Sequence, residues 1–506
     1  MVNTNLEAPA SHYLLTSELS QEIDQKTIQN IGIDGFTLME VAGKSASQLL
    51  LDQYSELSNG LYLCGKGNNA GDALVLARYL LQNDIKASIV FISGSDDLSE
   101  DTRTNLQLLH KYDQHNRLKI YESWNDAKPL DTFDFVVDGL LGTGLNSDVR
   151  GKYAEAIQWC NHQQTPVFAM DIPTGLHADS GEIMGIALQA DHTYSFGGRK
   201  QGFYLGDGPN LTGKIDYCEL PFPNKYKQDC HSFLLDESWN STEISPTGKH
   251  KYDSGVLYVI AGSEGLTGAA IMATKSAWAE GIGAIVLICP RGTLPIYEQT
   301  LPSIIKKPVG DRDDFFFKKK HIQKSLQIIG EKEGALLIGP GIGRDKSTIE
   351  FVQSILEENS KPTLIDADGL WCLSQLTEWP KPHDRNWILT PHPGELSKLT
   401  AENFDTDYQR LQIVQQISQK EGVTLLSKGM PGIIGTPEPK SYLTNYDTTP
   451  FARAGNGDVL AGKIASYLAL GYSPDTSCAM GLLNGKQKLD HLLKQSQEVP
   501  EPTDFI

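Results

Sequence analysis

Residues 61–81 read Leu61-Tyr62-Leu63-Cys64, then Gly65-Lys66-Gly67-Asn68-Asn69-Ala70-Gly71-Asp72, then Ala73-Leu74-Val75-Leu76-Ala77-Arg78-Tyr79-Leu80-Leu81. The first four residues form an apolar run of strand length, and the next eight a glycine-rich turn. Leu74, Ala77, Arg78 and Leu81 then recur at helical spacing. A strand that turns through glycines into a helix is the building unit of a parallel α/β sheet. Such a turn aims backbone N–H groups and the positive end of the helix at a ligand above it, which suits a phosphate. The glycines alone could serve only the turn, but Asn68, Asn69 and Asp72 put polar side chains where a ligand would sit. Gly65-x-Gly67-x-x-Ala70 fits the dinucleotide pattern literally, and no Gly-Lys-Ser/Thr closes the loop as a phosphate-binding Walker loop requires.

The same alternation extends outward. Leu38, Val41, Ala42, Ala46 and Leu49 mark a preceding helix, and short β-rich runs follow at 88–93, 133–138, 166–171 and 192–196. The segment 221–250, with Pro221, Pro223 and Pro246, lacks periodicity and reads as a connection. A second α/β series begins at 255–261 and continues with strands expected at 284–289, 335–338, 362–366, 387–390 and 423–426. Residues 495–506 are polar and proline-bearing and are expected to fray. The 506 residues suit two or three domains.

Composition narrows the class. A net charge of −19 argues against a bulk nucleic-acid binder. No apolar run approaches the roughly 18 residues of a membrane span, and residues 1–13 show no secretory pattern. The seven cysteines never form CxxC and the histidines never form HExxH, so neither a disulfide framework nor a zinc site is expected, and a cytoplasmic protein is.

Polar residues gather at expected strand ends. Asp138 opens Gly139-Leu140-Leu141-Gly142-Thr143-Gly144-Leu145, and Asp171 opens Ile172-Pro173-Thr174-Gly175. Strand ends face the crevice where α/β folds place ligands. Asn69, Asp138 and Thr174 offer hard oxygen donors that suit an alkali or alkaline-earth cation. In the second half, Gly455-Asn456-Gly457 leads into a helix with Leu460, Ile464, Tyr467 and Leu468. Its free N–H groups can form an anion hole for a transferring phosphoryl group, and Asp458 can take a proton from an attacking hydroxyl. The alternative for Asp458 is an acidic residue favoured electrostatically at a helix start.

These motifs resemble a known family. GKGNNAGDALVLARYL, VVDGLLGTGL, MDIPTGLHADSG and ADHTYSFGGRKQGF look like the YjeF N-terminal domain, the NAD(P)H-hydrate epimerase. The resemblance implies a Rossmann-like domain over 1–225, a linker at 226–245, and epimerisation at C6 of the hydrated nicotinamide ring. It implies substrate contacts at Asn68, Asn69, Ala70, Gly71, Asp72, Gly142, Thr143, Gly144, Leu145, Asn146, Ser147, Asp148 and Asp171. It further implies potassium at Asn69, Asp138 and Thr174, and acid/base work by Asp171 assisted by Lys200.

Over 246–506 the chain is similar to the YjeF C-terminal domain, a ribokinase-like, ADP- or ATP-dependent (S)-NAD(P)H-hydrate dehydratase. The carrying motifs are AGSEGLTGAA, GPGIG, DADGL, TPHPGE, KGMPG and AGNGDVLAG. The likeness implies hydrate contacts at Ala269, Gly341, His392 and Asp458, with Asp458 as base. It implies nucleotide contacts, with Mg2+, at Lys428, Gly429, Met430, Pro431, Gly432 and Gly457. Association into homo-oligomers is implied as well. The chain departs from the family pattern at Ala70 and Ala73, where glycines are usual, at Thr174, where serine is usual, and at Asn456, where threonine is usual. If Ala70 or Ala73 needed a left-handed backbone, its methyl would store about 1 kcal/mol or more; in a helix it would be harmless. An NAD-dependent oxidoreductase and a small-molecule kinase with a non-catalytic first domain remain as alternatives at this level.

Overall fold

A computed structural model describes residues 10–54, 56–112, 116–127, 133–239, 255–381, 386–495 and 499–506. The chain forms two compact units, Ala8–Phe233 and Leu234–Ile506. In the first, α1 (Ser17–Lys26) and α2 (Gly35–Gln53) precede β1 (Asn59–Cys64), α3 (Asn68–Gln82) and β2 (Lys86–Phe91). There follow α4 (Glu100–Tyr112), β3 (Leu118–Tyr121), β4 (Phe135–Gly139), α5 (Gly151–Asn161), β5 (Val167–Met170), β6 (His192–Phe196) and β7 (Lys214–Cys218). The seven strands lie in the order 3-2-1-4-5-6-7 and pair in parallel throughout. The order reverses between β1 and β4, and such a switch point opens a crevice at the carboxyl ends of the strands.

β8 (Ser232–Leu235) runs across the boundary at Leu234 and precedes β9 (Val256–Ile260), α6 (Thr267–Ala279), β10 (Ala284–Pro290) and β11 (Ile305–Val309) of the second unit. Next come β12 (Ala335–Ile338), β13 (Thr363–Ile365), α7 (Asp368–Ser374), β14 (Trp387–Leu389), α8 (Pro393–Thr400), α9 (Asp407–Glu421) and β15 (Thr424–Ser427). The series ends with β16 (Ile433–Gly435), β17 (Ser441–Thr444), α10 (Asn456–Ala469) and α11 (Pro474–Gln495). The sheet order is 8-17-16-15-14-13-12-9-10-11, parallel from β15 to β11 and antiparallel at β15–β16 and β16–β17. Its switch point lies between β9 and β12. Both units are therefore α/β, as expected.

The boundary between the units falls inside the expected linker at 226–245; that span also carries β8 and buries Trp239, whose indole N–H donates to Leu234 O at 2.7 Å. One expectation is corrected. Residues 502–505 do not fray: they form a 3-10 turn that buries Phe505. Residues 240–254, which include the end of the expected connection, lie outside the described residues. All seven cysteines are free and buried. No helix among the described residues is long and apolar enough to cross a membrane.

Candidate functional sites

The turn after β1 is tight for a steric reason. A Cβ on Gly65 would lie 1.9 Å from Leu140 O, so the loops after β1 and β4 touch across the switch point only because residue 65 is glycine. Gly67 caps α3 in an extended conformation, and α3 starts at Asn68. Ala70 and Ala73 both lie inside α3 and are fully buried, and a Cβ on Gly139 would meet that of Ala73 at 2.7 Å. The two methyls are thus packing groups in helical backbone and carry no left-handed strain.

Above the switch point lies a cavity of ≈ 680 Å³. Of the residues carried over from the family motif, it is lined by Asn68, Asn69, Asp72, Gly142, Thr143, Gly144 and Asp171. Ala70 and Gly71 are buried behind it, Leu145 packs on the core, and Asn146, Ser147 and Asp148 are exposed outside it. Asp171 ends β5 in a left-handed conformation, φ 62°, and backbone strain of this kind gathers at functional sites. Its Oδ1 accepts from the buried Lys200 Nζ at 2.5 Å and from Phe196 N at 3.0 Å. Lys200 Nζ is anchored further by the carbonyls of Gly198 and Phe196, at 3.1 and 3.3 Å.

The cavity also holds Asp24 of α1, which belongs to no sequence motif. Burial, then the charge of Asp171, pushes its carboxyl up to about 6, with Lys200 pulling the other way. Asp72 is raised well above the carboxylate range by burial and by Asp171 and Asp24. One cavity therefore brings together a lysine-paired carboxylate and two carboxyls held toward their neutral form. That is the equipment for proton donation and acceptance at one centre.

Beside it, Asp138 is fully buried. It accepts from Thr174 N and Oγ1, each at 2.7 Å, and from Leu140 N at 3.1 Å. Burial nonetheless raises it to about 6, those hydrogen bonds opposing. Asn69 donates to Leu141 O at 3.2 Å, while its buried Oδ1 has no partner. An orphaned amide oxygen, a hydroxyl and one carboxylate fit a monovalent, oxygen-seeking cation. Among the described residues no group of three acidic, His or Cys side chains could hold a more demanding metal.

In the second unit, Gly262 N donates to Pro340 O at 2.9 Å and Ser263 Oγ to Gly341 O at 3.0 Å, tying the loops after β9 and β12. A Cβ on Gly341 would lie 3.1 Å from that of Ala269, so these two expected hydrate contacts are neighbours. Asp368 accepts from Gly343 N at 3.1 Å and from Arg344 Nε at 2.6 Å. Ala367, between Asp366 and Asp368, is held at φ 50°. Asp366 ends β13 almost fully buried; its Oδ1 accepts from Lys428 Nζ at 2.9 Å and Thr390 Oγ1 at 2.8 Å, while its Oδ2 has no partner. Burial would lower Lys428, but the charges of Asp366 and Glu395 outweigh it and raise the ammonium.

The N-terminus of α10 faces this lysine: a Cβ on Gly457 would lie 3.5 Å from Lys428 Nζ. Asp458 follows in the first turn, pushed up to about 7 by burial and then by Asp366, Lys428 opposing. A cavity of ≈ 460 Å³ lies alongside, lined by Lys428, Gly429, Gly432 and Gly457 together with His392. His392 is exposed and caps α8: its Nδ1 accepts from Gly394 N at 3.1 Å, and Glu395 accepts from His392 N at 2.9 Å. Met430 points to solvent. Pro431 does not line the cavity; its carbonyl accepts from Arg410 Nη2 at 2.8 Å. The nearly buried Arg410 also donates to Ser427 Oγ at 3.2 Å and so braces the Lys428 loop from behind. Sequence reading missed Arg410 because it sits within α9, where it looks like any helical cation.

Comparison with known proteins gives a consistent picture. The family described as YjeF-related protein N-terminus matches residues 35–202, and that described as NAD(P)H-hydrate dehydratase matches 257–500. The bifunctional NAD(P)H-hydrate repair enzyme Nnr of Salinibacter ruber is 32% identical over 492 residues, covering 93% of this chain and 90% of that protein. The Nnr enzyme of Moorella thermoacetica is 30% identical, with the same two coverages, 93% and 90%. That of Escherichia coli is 28% identical, covering 90% and 85%. A solved structure of the ADP/ATP-dependent NAD(P)H-hydrate dehydratase of Bacillus subtilis, co-crystallized with ATP/Mg2+, is 23% identical with a TM-score of 0.44, over 52% of this chain and 89% of that one.

Proposed function

This chain belongs to the bifunctional NAD(P)H-hydrate repair enzymes, and on that premise we propose how its residues divide the two reactions, epimerisation and dehydration. In the first unit, a protonated Asp72 gives its proton to the 6-hydroxyl of the hydrate. The ring-nitrogen lone pair expels water and leaves a C6 iminium. Water re-adds at C6 from the other face, Asp171 takes the released proton, and the opposite epimer results. Lys200 holds Asp171 in place, and Asp24 keeps Asp72 protonated by adding negative charge to the cavity. Asn69, Asp138 and Thr174 would hold a potassium ion, which supplies positive charge beside the substrate's phosphates.

In the second unit, Asp458 takes the proton of the 6-hydroxyl as its oxygen attacks the terminal phosphoryl group of ADP or ATP, with Mg2+ as counter-ion. The N–H groups of Gly455 and Gly457 and the Lys428 ammonium stabilise the negative charge that develops on the phosphoryl oxygens. Phosphate is a better leaving group than hydroxide. The ring nitrogen expels it, the departing phosphate takes a proton from C5, and the C5–C6 double bond of NAD(P)H is restored. Ala269, Gly341 and His392 would seat the hydrate, and Gly429 and Gly432 would flank the nucleotide. The observation that carries this reading is the meeting of Lys428, Gly457 and a burial-raised Asp458 at one helix N-terminus. The test is incubation of the purified protein with the S hydrate with and without ADP or ATP. NAD(P)H formation that depends on nucleotide supports the assignment, and nucleotide-independent formation contradicts it.

A further inference from the structure

Segment 499–506 reads Val-Pro-Glu-Pro-Thr-Asp-Phe-Ile, a sequence with two prolines. It is nonetheless ordered by local chemistry. Glu501 N donates to Asp504 Oδ2 at 2.7 Å, a reciprocal cap that starts the Pro502–Phe505 turn. The turn drives Phe505 into the second unit. The ring is 2% exposed, clusters with Val459 and Leu489, and lies 5.0 Å from the Phe451 ring at 38°. Pro502 approaches the other critical point: its Cβ would stand 3.4 Å from a Cβ on Gly455, the left-handed residue (φ 101°) that caps α10.

The ≈ 460 Å³ cavity thus combines two kinds of lining. Lys428, Arg453, Lys463 and Gly457 supply cationic and N–H groups, and Tyr446, Phe451, Leu482 and Phe505 supply an aromatic and apolar cluster. A nucleoside diphosphate combines the matching groups, charged phosphates and a flat aromatic base. We propose that segment 499–506 completes the nucleotide pocket: Phe505, with Phe451, forms the wall against which the purine packs, while Pro502 supports the phosphate turn at Gly455. This inference rests on the assignment of that cavity to ADP or ATP above, and it makes Phe505 a determinant of base selectivity. Apolar and aromatic surface selects by ring area, so purine nucleotides are favoured over pyrimidine ones.

The test uses the full chain carrying Phe505→Ala, Phe505→Leu or Phe505→Trp. Loss of base–aromatic stacking predicts that Phe505→Ala raises the KM for ADP about tenfold or more. The kcat at saturating ADP and the KM for the S hydrate stay within about twofold. Phe505→Leu keeps apolar volume without a ring and raises the KM several-fold at an unchanged unfolding temperature, and Phe505→Trp restores tight binding. The ratio of ADP to CDP affinity, measured by calorimetry, falls toward one in the Ala and Leu variants. A purely structural role would move stability and leave that ratio unchanged, which overturns the proposal. A wild-type protein that binds ADP while the variants bind it equally well overturns this inference alone. A wild-type protein that binds neither ADP nor ATP overturns the nucleotide assignment with it.

Discussion

Replacing Asp458 by Asn separates the catalytic from the structural effect of one carboxyl. The folded protein holds this group near 7, against 3.8 for an unhindered aspartate, mainly because burial disfavours the charge and Asp366 repels it. A carboxyl raised in the folded state costs stability where it must ionise. The cost is small near pH 4, grows as pH rises through 7, and is constant above. Three pK units correspond to about 4 kcal/mol at pH 8. Asn preserves shape and removes that cost. Asp458→Asn should therefore raise the unfolding temperature of the second unit clearly at pH 8 and little at pH 4. The same change removes the proposed base for hydroxyl attack, so turnover of the S hydrate should fall by roughly 10²–10⁴. Nucleotide affinity should change far less. Thermal unfolding at the two pH values, with turnover assayed from purified S hydrate, tests both halves. Turnover within a few-fold of wild type, or stabilisation equal at pH 4 and pH 8, refutes the reasoning. In the unsubstituted enzyme, the dehydration rate should rise with pH through about 7 as Asp458 loses its proton.

Asp24→Asn removes a negative charge that keeps Asp72 protonated, so the basic limb of the epimerisation profile should move to lower pH; an unmoved or raised limb excludes the coupling. Asp138→Ala should weaken epimerisation and its response to added potassium while sparing dehydration of pure S hydrate; joint loss in a folded protein would contradict separate sites. Ala70→Gly with Ala73→Gly should lower the unfolding temperature, since each change costs about 1 kcal/mol in a helix interior. It should not speed epimerisation, and a gain would show that the methyls obstruct the site.

The elements whose burial dictates their composition were visible in the amino-acid pattern. The strands at 192–196 and 335–338 coincide with β6 and β12; β12 is the continuous apolar run Ala-Leu-Leu-Ile, and β6, His-Thr-Tyr-Ser-Phe, is rich in aromatic and β-branched residues. Those missed were mostly margins: β3, β7 and β11 are Leu-Lys-Ile-Tyr, Lys-Ile-Asp-Tyr-Cys and Ile-Lys-Lys-Pro-Val. Strands at or near a sheet edge carry charges and prolines that hide their pairing. The glycine turns announced both switch points because close backbone approach leaves no alternative residue, as at Gly65. Asp24, Arg410 and Phe505 carried no such mark. Each gains its role only when the chain brings it to a cavity assembled from distant segments. Asn146, Ser147 and Asp148, named from motif position, lie exposed on the loop after β4.

The central claim is that one chain repairs both epimers through two separate sites. Pure R hydrate supplied with ADP or ATP tests it most directly, because only epimerisation can feed the dehydratase. NAD(P)H should form faster than spontaneous epimerisation measured without protein allows, and Asp171→Asn should reduce it to that background while S hydrate is still consumed normally. R hydrate that disappears no faster than background in the unsubstituted protein, with S hydrate consumed normally, would contradict the account.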